Sequence, residues 1–287
     1  MVKEGDIVSR VSYKNDVLFR VMEIKKVKGI EIASLKGLDI RLEADAPVAD
    51  LEVKDNQEVN HYQKGFTEKC LDCKKNIFKR RKKDMERSIS NFLRGDENNS
   101  FFEVPGKVLH IDGDDEYLGK CMETYKDLGI EARGKCITER EQPKRVSKLL
   151  LEEPYDILVL TGHDGILKGK KDFSDLNSYR NSSYFVEAVR AARRLEPSKD
   201  ELVIFAGACQ SHYEAILVAG ANFASSPLRV FIHAFDPVFI VEKVAYSSIN
   251  DKLSIQDVIA NTITGIDGVG GVETRGRFRL GYPKSPY

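Results

Sequence analysis

Two stretches decide the fold: Asp156-Ile-Leu-Val-Leu-Thr-Gly-His-Asp-Gly165 and Leu202-Val-Ile-Phe-Ala-Gly-Ala-Cys-Gln-Ser211. Each opens on an apolar, β-rich run and then breaks abruptly into small and polar residues. Runs of this kind read as strands buried on both faces, and such strands belong to parallel sheets covered by helices. Functional groups in those sheets gather at the carboxyl ends of the strands. His163 stands at one such end and Cys209 at the other, 46 positions later. Gly162, Gly165, Gly207 and Ala208 keep side chains out of the way, so a substrate backbone can approach.

Working outward, the same alternation continues. Lys107 to Ile111 reads as a buried strand ending in Asp112-Gly113-Asp114. A helix is predicted over Tyr117 to Leu128, stopped by Gly129, and a second from Pro143 that presents Val146, Leu149 and Leu150. Tyr184 to Leu195 reads as a helix, Arg229 to Ile232 as a further strand, and a helix follows Pro237. This order predicts an α/β domain over residues 103–287, with a mainly parallel sheet and helices on both faces. Its last part, from Leu253, holds one helix and then a glycine-rich stretch, Gly265 to Gly271, that reads as a flexible loop edging the substrate groove. Residues 1–58 differ: short alternating runs over Asp6 to Val11, Val17 to Ile24 and Leu35 to Leu42, separated by turns, predict a small SH3-like β-barrel. Between the two, residues 59–102 read as a basic helix and then an exposed linker around Gly95 to Ser100.

Composition narrows the function classes. The chain has 287 residues, with 45 basic and 45 acidic side chains. Net charge therefore points to no polyanionic partner, and nucleic acid is not expected. No apolar run is long enough to span a membrane, and Met1 to Val11 lacks the apolar core of a signal peptide. A cytoplasmic protein is expected. Five cysteines at irregular spacing do not form a disulfide framework. Cys70-Leu-Asp-Cys73 resembles half a zinc site, but only His61 lies near and no second pair exists, so no metal is expected. Cys121 and Cys136 read as packing residues. Lys79 to Lys83 reads as a solvated helix face or, for a peptidase that cuts after arginine, as a self-cleavage site. His110 and His233 read as core histidines, His212 as a residue beside the site, and His61 has no context.

Chemically, Cys209 and His163 suit each other. A thiol becomes strongly nucleophilic as a thiolate, and a neighbouring imidazole takes up its proton. Backbone N–H groups in the turns after the strands can bind a developing oxyanion, and those of Gly165 and Cys209 are the candidates. A helix beginning just after Cys209 would add its dipole.

Thr161-Gly-His-Asp-Gly165 followed by Ala206-Gly-Ala-Cys-Gln210 resembles the caspase, gingipain and clostripain group of cysteine peptidases. That group has His-Gly after one strand and Ala-Cys after the next. Over essentially its whole length the chain resembles the YabG family of sporulation-specific proteases; His110-Ile-Asp-Gly-Asp114, Leu160 to Gly165 and Phe205 to Ile216 carry the match. The resemblance implies a caspase-like three-layer domain and a Cys209–His163 dyad working without cofactor. It further implies cleavage after arginine of spore coat and cortex-related proteins, in the mother cell or spore coat. One departure is Asp164, which separates the histidine from Gly165. It could orient His163, bind a basic substrate side chain, or be a plain turn residue. For an arginine pocket the candidate carboxylates are Asp164, Asp175 and Asp236, the last of which could equally cap the helix at Pro237. Two rivals stand beside this reading. One is a thiol amidohydrolase or glutamine amidotransferase using Cys209 with His233. The other is a non-catalytic coat-scaffolding or nucleic-acid-binding protein.

Overall fold

The computed structural model describes residues 2–92 and 101–285. The chain divides into two compact units, Met1–Asp72 and Cys73–Tyr287. The first is built on an antiparallel sheet of β1 (Ile7–Arg10), β2 (Phe19–Val27), β3 (Ile30–Gly37), β4 (Glu43–Pro47) and β5 (Leu51–Val53), in the order β4-β3-β2-β1-β5. Val8, Phe19, Val21, Ala33, Leu35 and Ala46 form its buried side. Period-two alternation places these residues on one face of the strands. The third apolar run ends as a strand at Gly37, not Leu42, because the chain turns there in a tight loop, closed by the Gly37 N–H donating to the Leu42 carbonyl at 2.8 Å.

Helix α1 (Asn56–Phe92) contributes residues to both units. Its basic run is not simply a solvated face. Lys79, Lys82 and Lys83 are exposed, but Arg80 and Arg81 converge on Glu242, whose side chain is fully buried. Arg80 Nη2 donates to both Glu242 oxygens at 2.7 and 2.8 Å, Arg81 Nε donates to Oε1 at 2.6 Å, and Arg81 stacks on Tyr246. Two guanidinium groups on one buried carboxylate satisfy it by charge and by hydrogen bonds, which lone burial could not. The expected linker at Gly95 to Ser100 lies outside the described residues.

The second unit continues through β6 (Phe102–Val104), β7 (Val108–Asp112), α2 (Asp115–Asp127), β8 (Ala132–Cys136), α3 (Gln142–Glu152), β9 (Ile157–Thr161), α4 (Ser182–Leu195), β10 (Val203–Ala206), α5 (Tyr213–Val218) and β11 (Phe223–Ser225). It closes with α6 (Asp236–Ala245), β12 (Lys252–Leu253), α7 (Ile255–Ile259), β13 (Val269–Gly271), β14 (Thr274–Arg275) and β15 (Arg279–Gly281). Six strands form one sheet in the order β13-β11-β10-β9-β7-β8, parallel except for β13. Leu109, Ile111, Leu158, Leu160, Ile204 and Ala206 point to one face, where α3, α4 and α5 cover them with Val146, Leu149, Phe185, Val189 and Ile216. Fully burying each such side chain is worth about 1.5–3 kcal/mol, so this layer contributes heavily to the unit's stability. The alternate residue His110 faces α2, where its Nδ1 meets the Tyr125 hydroxyl at 3.2 Å; α6 packs against α2 and β9.

Three expectations are corrected. Arg229 to Ile232 is not a strand; the sheet uses Phe223–Ser225 instead. Ser226 and Arg229 adopt left-handed backbone, with the Arg229 N–H on the Ser226 carbonyl, so the chain turns before it can pair. Val269 to Gly271 is a strand, not a loop. A Cβ on Gly271 would lie 2.2 Å from the Asn222 carbonyl oxygen, so glycine is what lets this strand close against β11. Cys136 is exposed at the tip of the edge strand β8, whereas Cys121 is buried in α2 with its Sγ on the Ala234 carbonyl. Among the described residues no helix is long and apolar enough to cross a membrane.

Candidate active site

Register explains how distant residues meet. Ile111 pairs with Leu160 across β7 and β9, and Leu160 pairs with Ala206 across β9 and β10. Asp114, His163 and Cys209 each stand three residues beyond that common row. Neighbouring strands lie about 4.8 Å apart, so the three segments leave the same edge of the sheet from adjacent strands. The ends of β7 and β9 are pinned together beneath them. Thr161 Oγ1 donates to Asp112 Oδ2 at 2.9 Å and meets His110 Nε2 at 2.7 Å. A hydroxyl that donates to the carboxylate must accept from the imidazole, so His110 carries its proton on Nε2. His110 is thus a buried structural histidine.

His163 is nearly buried, and its Nε2 lies 2.9 Å from Asp114 Oδ2. Its backbone is held on both sides: the N–H donates to Glu139 Oε1 at 2.6 Å, and the carbonyl accepts from Asn181 Nδ2 at 2.8 Å. The Glu139 side chain crosses the space where Gly113 and Gly162 lack a Cβ; a Cβ at either would sit 2.2 Å from Oε1. Neither Asp114 nor Glu139 stands out in the sequence as a partner of His163. The available signal was that Asp112-Gly113-Asp114 ends a buried strand just as Thr161-Gly162-His163 does.

Cys209 is 0% exposed. Its Sγ accepts from the Ile232 N–H at 3.3 Å and lies 3.8 Å from the Ile232 carbonyl oxygen. The run Arg229 to Ile232, expected as a strand, instead sets the Ile232 backbone against the thiol. Gln210 follows in a left-handed conformation, φ 56°, which costs about 1–2 kcal/mol and is held by bonds from its N–H to Ser226 Oγ (3.1 Å) and the Val230 carbonyl (3.3 Å). The helix expected directly after Cys209 starts later, at Tyr213, and has six residues, because the left-handed turn at Gln210 intervenes.

Asp164 is not a solvent-facing turn residue. It is buried and accepts from the N–H groups of Gly165 and Asn181 (both 2.8 Å) and from the hydroxyls of Ser182 and Ser211. Burial pushes its carboxyl above the usual carboxylate range, and these hydrogen bonds pull it back. Ser211 Oγ in turn accepts from the Ala208 N–H at 2.9 Å, so Asp164 braces the turn that carries Cys209. The Gly165 N–H, a candidate oxyanion donor, is engaged by this carboxylate.

The other candidate carboxylates lie in local structure. Asp175 caps a short turn through the backbone and side-chain nitrogens of Asn177, both at 2.9 Å. Asp236, fully buried at the start of α6, accepts from the N–H groups of Ile263 (2.6 Å), His233 (3.2 Å) and Thr264 (3.3 Å). Burial raises its pKa to about 6. His233 follows Ile232 directly, and its Nδ1 accepts from the Phe235 N–H at 3.1 Å. His212 caps α5 and reaches the Ser174 carbonyl with Nε2 at 3.0 Å. Among the described residues no group of three His, Cys, Asp or Glu side chains is arranged to hold a metal ion.

Comparison with known proteins agrees with the sequence resemblance. A family model described as YabG peptidase U57 matches residues 3–283. The chain is also 43% identical over 283 residues to the sporulation-specific protease YabG of Bacillus subtilis (strain 168), with 97% of each chain covered. A match of this length and identity leaves one assignment: the chain belongs to the YabG peptidase U57 family.

Proposed function

We propose that this protein is a sporulation-associated cysteine endopeptidase in which Cys209 is the nucleophile and His163 the general base and acid. The observation that carries the reading is that Asp114, His163 and Cys209 each follow, three residues on, the paired row Ile111–Leu160–Ala206 at the carboxyl ends of three adjacent strands. His163 takes the thiol proton, and the thiolate attacks the scissile carbonyl. The imidazolium then protonates the leaving amine, and a thioester remains on Cys209. Water, deprotonated by His163, releases the acid product and restores the thiol. The oxyanion falls to the backbone N–H groups of Cys209 and Gly165, the latter exchanging its bond to Asp164 for one to the substrate.

The family resemblance supports spore coat and cortex-related proteins as substrates, with cleavage after arginine, and a caspase-like architecture for residues 103–287. The chain itself belongs among the proposed substrates. Arg80 and Arg81 are poor cleavage sites, since both are helical and held by Glu242, and a peptidase needs extended backbone. The strand order of residues 1–58 suits the SH3-like reading.

A thiol amidohydrolase using His233 has one observation in its favour: His233 adjoins the segment that touches Sγ. Against it, an Nδ1 that accepts from Phe235 leaves the neutral ring's proton on Nε2, so His233 would donate to a thiol, not accept from it. The deciding experiment compares wild type with Cys209→Ala, His163→Ala and His233→Ala on an arginine-containing peptide and on spore-coat extract, reading cleavage ends by mass spectrometry. Loss of about 10³-fold or more in kcat/KM is expected for the first two. Activity that survives His163→Ala but not His233→Ala would move the base to His233.

A further inference from the structure

We infer that Asp114 is the positioning residue of the site, fixing His163 in the tautomer that presents Nδ1 to Cys209. The inference rests on the Cys209–His163 reading and goes beyond it by assigning a third member. Asp114 divides its two oxygens. Oδ1 accepts from the N–H groups of Glu116 (2.9 Å) and Tyr117 (3.2 Å) at the start of α2, and Oδ2 faces His163 Nε2 at 2.9 Å. A carboxylate that caps a helix is favoured as the anion and cannot rotate without losing its cap. An ionised carboxylate only accepts, so the proton between the two side chains belongs to Nε2. The lone pair is then on Nδ1, the nitrogen that the Cys209–His163 reading assigns to the thiol proton. Both side chains are only 9% exposed, which limits competition from water. Tyr117, on the first turn of the same helix, closes edge-on over the imidazole at 5.9 Å between centroids. After proton transfer the arrangement places the Asp114 anion against the imidazolium, favouring the thiolate–imidazolium pair.

A plainly structural role for Asp114, as cap alone, makes a different prediction. Asn caps helices as well as Asp does but offers an NH₂ or a single oxygen in place of the second acceptor. In Asp114→Asn we expect kcat/KM to fall by about 10²–10⁴-fold, as when a histidine's carboxylate partner is made an amide elsewhere, with the melting temperature nearly unchanged. The pH profile of Cys209 alkylation by iodoacetamide should shift upward by about one unit or more, because the imidazolium loses its counter-charge. A second measurement needs no change at Asp114: ¹⁵N-histidine spectra of the Cys209→Ala chain should show His163 protonated on Nε2. Wild-type turnover and an unshifted alkylation profile in Asp114→Asn, or an Nδ1–H tautomer, would overturn the inference. With Cys209→Ala and His163→Ala inactive in the same assay, that failure touches Asp114 alone; if either retains full activity, the dyad reading falls and this inference with it.

Discussion

At the amino edge of the parallel sheet, opposite charges are paired with each other. Arg277 donates to Asp156 at 2.7 and 3.0 Å and to the Asp200 carbonyl at 2.7 Å, and Lys107 bridges Glu131 and Glu153. At the carboxyl edge, Asp114, Asp164 and Asp236 accept instead from backbone N–H groups, hydroxyls and an imidazole. The first arrangement holds chain segments together through ion pairs in which one partner at least is partly exposed. The second keeps carboxylates buried, without the screening and compensation that exposed pairs enjoy. The difference teaches that buried carboxylates gather on the side that carries the proposed His163 and Cys209 site.

That contrast can be broken by substitution. The largest effect is expected at Asp164. Asp164→Ala leaves two backbone N–H groups and two serine hydroxyls without their acceptor and releases the turn bearing Cys209. Stability should fall by about 3 kcal/mol or more, as several buried donors are orphaned. kcat/KM should fall by about 100-fold, the scale of an ångström's misplacement. Denaturant unfolding and peptide hydrolysis read the two quantities. Equal stability and activity to wild type would show that the carboxyl edge is as tolerant as the amino edge.

Asp236 sharpens the comparison through pH. Its folded pKa of about 6 lies above its ordinary 3.8, so the folded state holds the proton longer than the unfolded chain. Stability from this group is fully present below about pH 4 and is lost as pH rises towards and through 6, by on the order of 3 kcal/mol. The stability of wild type relative to Asp236→Asn should therefore decline between pH 4 and 7. A rise over that range would mean the carboxylate is favoured in the fold, as at an ordinary ion pair. The smallest effect belongs to the amino edge: Arg277→Leu should cost about 2 kcal/mol through its charged hydrogen bonds and leave kcat/KM unchanged. A matching loss of activity would show that the two edges are coupled.

Much of the site was legible in residues alone. Ile157 to Thr161 and Val203 to Ala206 are short apolar runs that read as buried strands, and both are, with a break into Gly, His or Cys at the ends where the proposed site lies. The cover over the thiol was not legible. Val230-Phe-Ile232 is as apolar as a strand, and composition cannot distinguish a run that joins a sheet from one that lies across its edge. The basic run misled for a related reason: Arg80 and Arg81 look solvated until Glu242, 162 and 161 positions away, is folded against them.

The sequence by itself determined which residues could react and which segments would be buried, since hydrophobic periodicity and strand-end composition are local properties. The tertiary structure alone decided which residues cooperate. Asp114 meets His163 because β7 lies beside β9 in register, 49 positions apart, while Asp164, adjacent to His163 in the chain, turns away to brace Ser182 and Ser211. Strand order and register set those distances, and no local pattern contains them.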